Sequence, residues 1–462
     1  MPLVPIRDLI ILSSRENQKV IHGVFMNIVR FTICILIGVA IGTEVANAQK
    51  PPAREEVITP IRNESFNKNG SCKERRQGGN PRTVDGMLVF DGSQDGNRQV
   101  DPQIAVGGDH VLHGTNSGLI IYDKAGNFVS GVNQNCFNGG IDPKLYFDIH
   151  NKMFVFDLWN PWDREKLKPV NVSVSETSDP TGAWNTYPIP APNGVDGGAI
   201  AGSRKWIGYT FPGGKEQMFV FKADEANAGK PVTVYHFEGN PGEPVKGQDA
   251  TDDLYFLKFT NREIVISRVT ENADGEPQLE QVANQKHGLS YYDYPPQSPQ
   301  KGTDQKTSSG DRNPKVLVLQ NECIWFSQAV NCEGRSAVQW HQVRLDGSLA
   351  QSGLLRHPTN GYIQTTLAVN AKEDLLIGFQ ETGPDMYISP RFAVRRGTDP
   401  PGETRAIVSL GEGAGATDGV AWGDYSGSTI DGDNGRDLWT IQSITSPQGK
   451  GHTVIARFPI ED

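Results

Sequence analysis

One short pattern recurs seven times along the chain, and it limits the fold more than any other feature. Asp101-Pro, Asp142-Pro, Asp196-Gly, Asp249-Ala, Asn313-Pro, Gln364-Thr and Asp424-Tyr each stand just before a short apolar strand, a turn and a second strand. "KLYFDIHNKMFVF", "VLVLQNECIWFSQAV" and "TLAVNAKEDLLIGF" show the form. The starts lie 41 to 64 residues apart. Period-2 alternation and β-branched or aromatic content mark strands. Such a unit cannot bury its faces alone, so it must stack against its neighbours.

Seven units of three or four strands each predict an all-β fold, a single seven-bladed β-propeller over residues 85–462. With 51 Gly, 30 Pro and only 21% charged residues, the composition favours turns and short strands. A tandem pair of β-sandwiches is the rival all-β arrangement, and the even spacing disfavours it. The last unit supplies three strands, "SGSTI", "DLWTIQSI" and "HTVIARFPI". The missing fourth is expected from "GMLVF", with Met87–Phe90 pairing near Ile455–Pro459 to close the ring and hide its edges. "ADEANAGK" is the one good helical stretch.

Several segments look like those of exported bacterial proteins with sialidase-like propellers. They are "DPQIAVGGDHVLHGTNSGLIIYDKAGN", "DPKLYFD", "VSETSDPTGAW", "RSAVQW", "LAVNAKEDLLIGF" and "WGDYSG". The resemblance spans about residues 85–460 and implies the propeller fold; that group is largely without assigned chemistry. "TSDPTGAW" is also similar to the Asp-box turn of sialidases, with its Gly shifted one place. Sialidases also carry an early Arg-Ile-Pro motif, which this sequence lacks, so the resemblance does not imply sialidase activity.

The amino-terminal end reads as targeting rather than fold. "RFTICILIGVAIG" is too short to span a membrane, Arg30 precedes it, and "ANA" at 46–48 is a small-x-small cleavage site. A signal peptide over 1–48, with Met26 as an alternative start, makes the mature chain secreted or periplasmic and leaves it no membrane span. Residues 49–84 are expected to form a flexible lead-in. The net charge of −10 argues against a nucleic-acid partner. In an exported chain the remaining four cysteines predict disulfides, Cys323–Cys332 and Cys72–Cys136.

In a propeller the blade starts gather at one mouth of the central channel. Asp101, Asp142, Asp196, Asp249 and Asp424 are therefore candidates for a ligand-binding acidic ring, with Asn313 and Gln364 completing the circle. The plain alternative is that each Asp caps its own turn. Clustered carboxylates repel unless a cation sits among them or some are protonated, which suits a hard metal, a cationic ligand or acid–base work. Trp422, Tyr291 and Tyr292 are expected beside the same mouth, where tyrosines can stack on sugar rings. A second cluster, "DGDNGRD", spaces Asp431, Asp433 and Asp437 around a Gly and is expected to hold a structural Ca2+ on the opposite face. No hydrolase elbow, phosphate loop or paired-cysteine zinc motif is present. These readings converge on a monomeric binding protein for a glycan or small polar ligand. The alternatives are a glycoside hydrolase or polysaccharide lyase using ring carboxylates, and a structural surface protein.

Overall fold

Seven antiparallel sheets follow one another along the chain and close into a β-propeller. The computed structural model describes residues 49–64, 78–94, 96, 100–159, 169–191, 197–290, 293–310, 313–314, 316–418 and 422–460. The expected signal peptide lies outside them.

Blade one is Gln103–Gly107, His110–Thr115, Gly118–Asp123 and Phe128–Asn133, ordered from the channel outward. Blade two is Ile141–Asp148, Met153–Trp159, Pro169–Ser175 and Trp184–Pro190. Blade three is Ala199–Gly202, Trp206–Thr210, Glu216–Lys222 and Val232–Glu238. Blade four is Glu243–Pro244, Leu254–Phe259, Glu263–Glu271 and Pro277–Lys286. Blade five is Leu317–Gln320, Cys323–Cys332, Arg335–Arg344 and Leu349–Leu355. Blade six is Gly361–Val369, Leu375–Gly383, Met386–Arg395 and Val408–Ser409.

Blade seven combines Gly427–Ile430, Leu438–Thr445 and Gly451–Phe458 with Met87–Asp91 from the other end of the chain. Ile455 pairs with Phe90 and Ala456 with Val89, as the stray strand predicts.

Alternating residues send their side chains to opposite faces of each blade, so the apolar ones fill the seams between blades. Seven clusters do this. Ala105, Leu112, Leu145 and Phe156 join blades one and two. Val172, Tyr187, Ile207 and Phe221 join two and three. The series continues round the ring to Phe90, Trp439, Val106 and Tyr122, which join seven and one. Burial thus lies between blades, and the inner strands are left to line a polar channel.

The lead-in is structured over 49–64, contrary to the flexible segment expected. Arg54–Ile58 pairs antiparallel with the outermost strand of blade three, and Ile61–Asn63 with that of blade two. Lys50 bridges to Leu279 on the outer strand of blade four. An outermost strand presents unpaired N–H and C=O groups, and this belt supplies partners for them. Arg54 adds an ion pair to Glu216 at 2.7 Å.

Cys323 and Cys332 are buried free thiols, so the bond expected between them is absent. "IWFSQAVN" is the middle of one straight ten-residue strand and not a hairpin. At about 3.3 Å per residue its ends stand roughly 30 Å apart, whereas a disulfide needs Cα atoms within about 7 Å. The second expected pair involves Cys72, which lies outside the described residues.

Candidate functional site

The recurring Asp has a conformational cause. Asp101 (φ 39°), Asp142 (φ 57°) and Gln364 (φ 48°) all adopt the left-handed conformation where their chains turn into the inner strand. Gly197, Gly242 and Gly423 hold positive φ near the starts of blades three, four and seven. Asp and Gly tolerate that region better than other residues, and Asp also brings an acceptor for nearby N–H groups.

Three of the five acids come together where blades one, two and seven meet. Asp101, 1% exposed, accepts the Asp424 backbone N–H at 2.6 Å and the Asn116 side-chain amide at 3.3 Å. The Asn116 carbonyl accepts the Asp142 N–H at 2.8 Å, and Trp159 Nε1 donates to Asp142 Oδ2 at 3.2 Å. Gln364 donates to the Gly423 carbonyl, which ties blade six into the same corner. Burial, then the charges of Asp142 and Asp424, push the Asp101 carboxyl up to about 7. The acids therefore act both as turn acceptors and as a mutually repelling set.

Deeper in the channel lie groups that motif reading did not single out. Lys144, 3% exposed, sits 3.8 Å from the centre of the Tyr425 ring. Its ammonium donates to the Asp142 carbonyl at 3.3 Å, and its backbone N–H donates to Asp157 Oδ1 at 2.9 Å. Tyr425 donates its hydroxyl to the Pro143 carbonyl at 3.1 Å. Asp157 is fully buried, its Oδ2 has no partner, and burial pushes its carboxyl up to about 7 against the opposing pull of Lys144. From blade four, Lys246 reaches across to donate to the Leu145 carbonyl at 3.2 Å. Burial lowers Lys246 to about 8. A signal for two of these was present: Asp142 and Lys144 in "DPKLYFD" share a strand face, and Asp157 interrupts the apolar "FVFDLW".

Between blades four and five, beside the ends where inner strands begin, a cavity of about 340 Å³ opens. Asn240, Glu243, Lys258, Thr260, Asn261 and Asn313 supply its polar lining, and Phe259 an aromatic wall. The His287 ring stacks on Phe259 with centroids 4.8 Å apart. Asn313, expected to complete the acidic circle, belongs to this cavity.

Asp249 stands elsewhere. Its carboxylate accepts the backbone N–H groups of Asn321 and Glu322, both at 2.8 Å, in the turn that leaves the inner strand of blade five. That turn is on the face opposite the starts. The inner run of blade four is 243–247, six residues earlier than the repeat placed it: Glu243–Pro244 pairs with its own blade, and Lys246–Gly247 runs parallel to blade five. Trp422 is fully buried against Ile363 and Ile388, so it offers no platform for a sugar. Asp196, Tyr291 and Tyr292 lie outside the described residues, while Tyr294 is exposed.

The loop expected to hold calcium faces cations already. Lys124 lies 2.7 Å from Asp431 and 2.6 Å from Asp433, and Arg457 forks onto Asp437. Among the described residues no three His, Cys, Asp or Glu side chains converge as a metal site. The donor set at this loop does not fit a calcium ion, because an ammonium stands where the ion would.

No family model matches the sequence, and no curated protein matches it. Solved structures that align with this chain include a protein of unknown function from Dyadobacter fermentans, with 9% identity, a TM-score of 0.39 and coverage of 89% of this chain and 99% of that one. A subtype N10 neuraminidase-like protein from a little yellow-shouldered bat isolate has 10% identity, a TM-score of 0.33 and coverage of 67% and 96%. An ulvan lyase, a polysaccharide lyase, has 9% identity, a TM-score of 0.34 and coverage of 87% and 95%. At these values the likeness says nothing of chemistry. No helix among the described residues is long and apolar enough to cross a membrane.

Proposed function

We propose that the protein is an exported binding module that holds a carbohydrate, or a ligand of similar polarity, at the mouth where the inner strands begin. The observation that carries this reading is the cavity between blades four and five. Its volume of about 340 Å³ suits a mono- or disaccharide, and its lining of side-chain amides, a hydroxyl, Lys258 and Glu243 beside the Phe259 ring offers hydroxyl-matching donors and acceptors next to an apolar face. Asp101 and Asp142 lie on the far side of the ring from this cavity, where blades one, two and seven meet.

A second reading, a glycoside hydrolase or lyase, is favoured by one fact. Asp101, at about 7, is poised to hold and release a proton near neutrality beside a second carboxylate. One experiment separates the two: a screen of the purified protein against soluble glycans, scoring thermal shift and product release together. Binding predicts a shift that is lost in Lys258→Ala and Asn313→Ala, with no new reducing or unsaturated ends. Product release abolished by Asp101→Asn would replace the binding reading with the enzymatic one. A flat screen on both readouts would defeat both.

A further inference from the structure

We infer that a second cavity, at the seam between blades five and six, binds a small oxyanion: the carboxylate, sulfate or phosphate group of a molecule about the size of a monosaccharide. The inference does not depend on the cavity between blades four and five. The second cavity has a volume of about 320 Å³, at the low end of the range for small-molecule sites. One wall is the tight turn that joins Cys323–Cys332 to Arg335–Arg344. The other is the crossing that leads from Leu349–Leu355 into Gly361–Val369. Both walls stand at the end of the ring where inner strands begin.

The hairpin decides which side chains face the cavity. Cys332 pairs with Arg335 and Val330 with Ala337, so alternation sets Cys332, Arg335 and Ala337 on one strand face. Cys332 and Ala337 are buried and form an apolar part of the lining, while Arg335 beside them is exposed. Among the described residues the Arg335 guanidinium forms no hydrogen bond and no ion pair. From the other wall Arg356 meets Glu333 at 3.3 Å, with side chains 56% and 63% exposed, a pair that water and salt screen heavily. His357 accepts the backbone N–H groups of Thr359 at 3.2 Å and Asn360 at 3.0 Å on its Nδ1. An accepting Nδ1 puts the ring proton on Nε2, which has no hydrogen-bond partner among the described residues.

The lining is therefore rich in donors. A guanidinium offers N–H groups and no lone pair, and His357 offers its Nε2–H. Glu333 is the one carboxylate in the lining, and it already sits against Arg356. A neutral sugar needs donors and acceptors in balance, whereas an oxyanion needs donors, and the planar fork of an arginine matches its paired oxygens. On a chain of net charge −10, two guanidiniums against one carboxylate reverse the local sign.

The test titrates the purified full chain with inorganic phosphate, sodium sulfate and sodium glucuronate by calorimetry. Ionic strength is held constant with sodium chloride, and glucose is the neutral competitor. Saturable binding of at least one anion is expected, glucose should not displace it, and the tightest of the three names the head group. Arg335→Gln should weaken that binding by about tenfold or more, as the loss of a charge-assisted hydrogen bond does. Glu333→Gln removes the carboxylate that competes for Arg356 and should tighten binding by roughly two- to fivefold. A failure to fold cannot imitate that gain. Lys258→Ala, in the other cavity, should change nothing. No saturable binding of any of the three anions overturns the inference. So does equal binding in Arg335→Gln, or binding lost in Lys258→Ala instead.

Discussion

The carboxylate of Asp101 accepts the backbone N–H of Asp424, fastening the first blade to the last at the mouth of the channel. A charge that would otherwise be expelled from a buried site is held there as a structural acceptor. That dual duty sets the first expectation. Asp101→Asn keeps an acceptor and the left-handed turn while removing the charge, so at neutral pH it should be stable to within about 1 kcal/mol of the parent or better. Asp101→Ala leaves the Asp424 N–H without a partner and should cost about 1–3 kcal/mol. Denaturant melts of both variants measure this, and equal losses would refute it.

The stability that Asp101 and Asp157 lend should fall as pH rises from about 4 to about 7, while His113 and His341, lowered by burial to about 3, contribute the opposite trend up to about 6.5. Asp101 and Asp157 both titrate at about 7 when folded, against an ordinary value of 3.8. A raised acid binds more protons in the folded state over that range, so the stability it lends is full below about 4 and lost on passing 7. Each group contributes a slope of up to about 1.4 kcal/mol per pH unit. Asp101→Asn should remove its own share of that fall. The difference in melting temperature between parent and variant across the range checks the sign, and a parent advantage that grows from pH 4 to 7 would contradict it.

Calcium should leave the melting temperature where chelator leaves it, since Lys124 already occupies the gap between Asp431 and Asp433. Lys124→Gln strands Asp431, whose side chain is only 4% exposed, and should cost about 1–2 kcal/mol. A calcium-dependent rise in the parent protein would overturn this reading of the loop.

Alkylation of the unfolded, unreduced chain should tag Cys323 and Cys332, because the length of one strand keeps them apart. Cys136 is expected to appear instead in a disulfide peptide with Cys72. Mass mapping decides both points, and a peptide linking 323 to 332 would refute the first.

Removing residues 49–64 should uncover the outer edges of blades two and three. A drop of a few degrees in melting temperature, with faster aggregation on heating, is expected. Light scattering during the melt tests it, and unchanged behaviour would reduce the belt to decoration.

Much of this architecture was legible because its signals are local. Alternation within "KLYFDIHNKMFVF" and "TLAVNAKEDLLIGF" depends on nothing distant, and the unpaired "GMLVF" had one vacancy to fill. Blade four escaped because its inner run contains Pro244 and shares its hydrogen bonds between two sheets, so no alternation marks it. The repeat then slid to Asp249, a turn acceptor of the next blade. The belt escaped because "REEVI" looks like a solvated segment until an open edge is beside it. At the site, the Asp recurrence was visible, but its left-handed cause was not, since φ is a property of the folded turn. The polar contacts of the channel depend on the whole ring: Lys246 and the Leu145 carbonyl that it bonds are 101 residues apart and meet only once the blades are assembled.

The clasp between Met87–Asp91 and Gly451–Phe458 also sets a timetable. Ser93 finds the Thr453 hydroxyl 360 residues downstream, so the first strand of the clasp must wait, unpaired, while nearly the whole chain is made. Blades one to six can form as each hairpin emerges, but the circle closes only when 451–458 reaches 87–91. Closure of so long a loop is entropically costly, which makes the clasp a slow step of folding. Until it forms, blade seven presents an open edge.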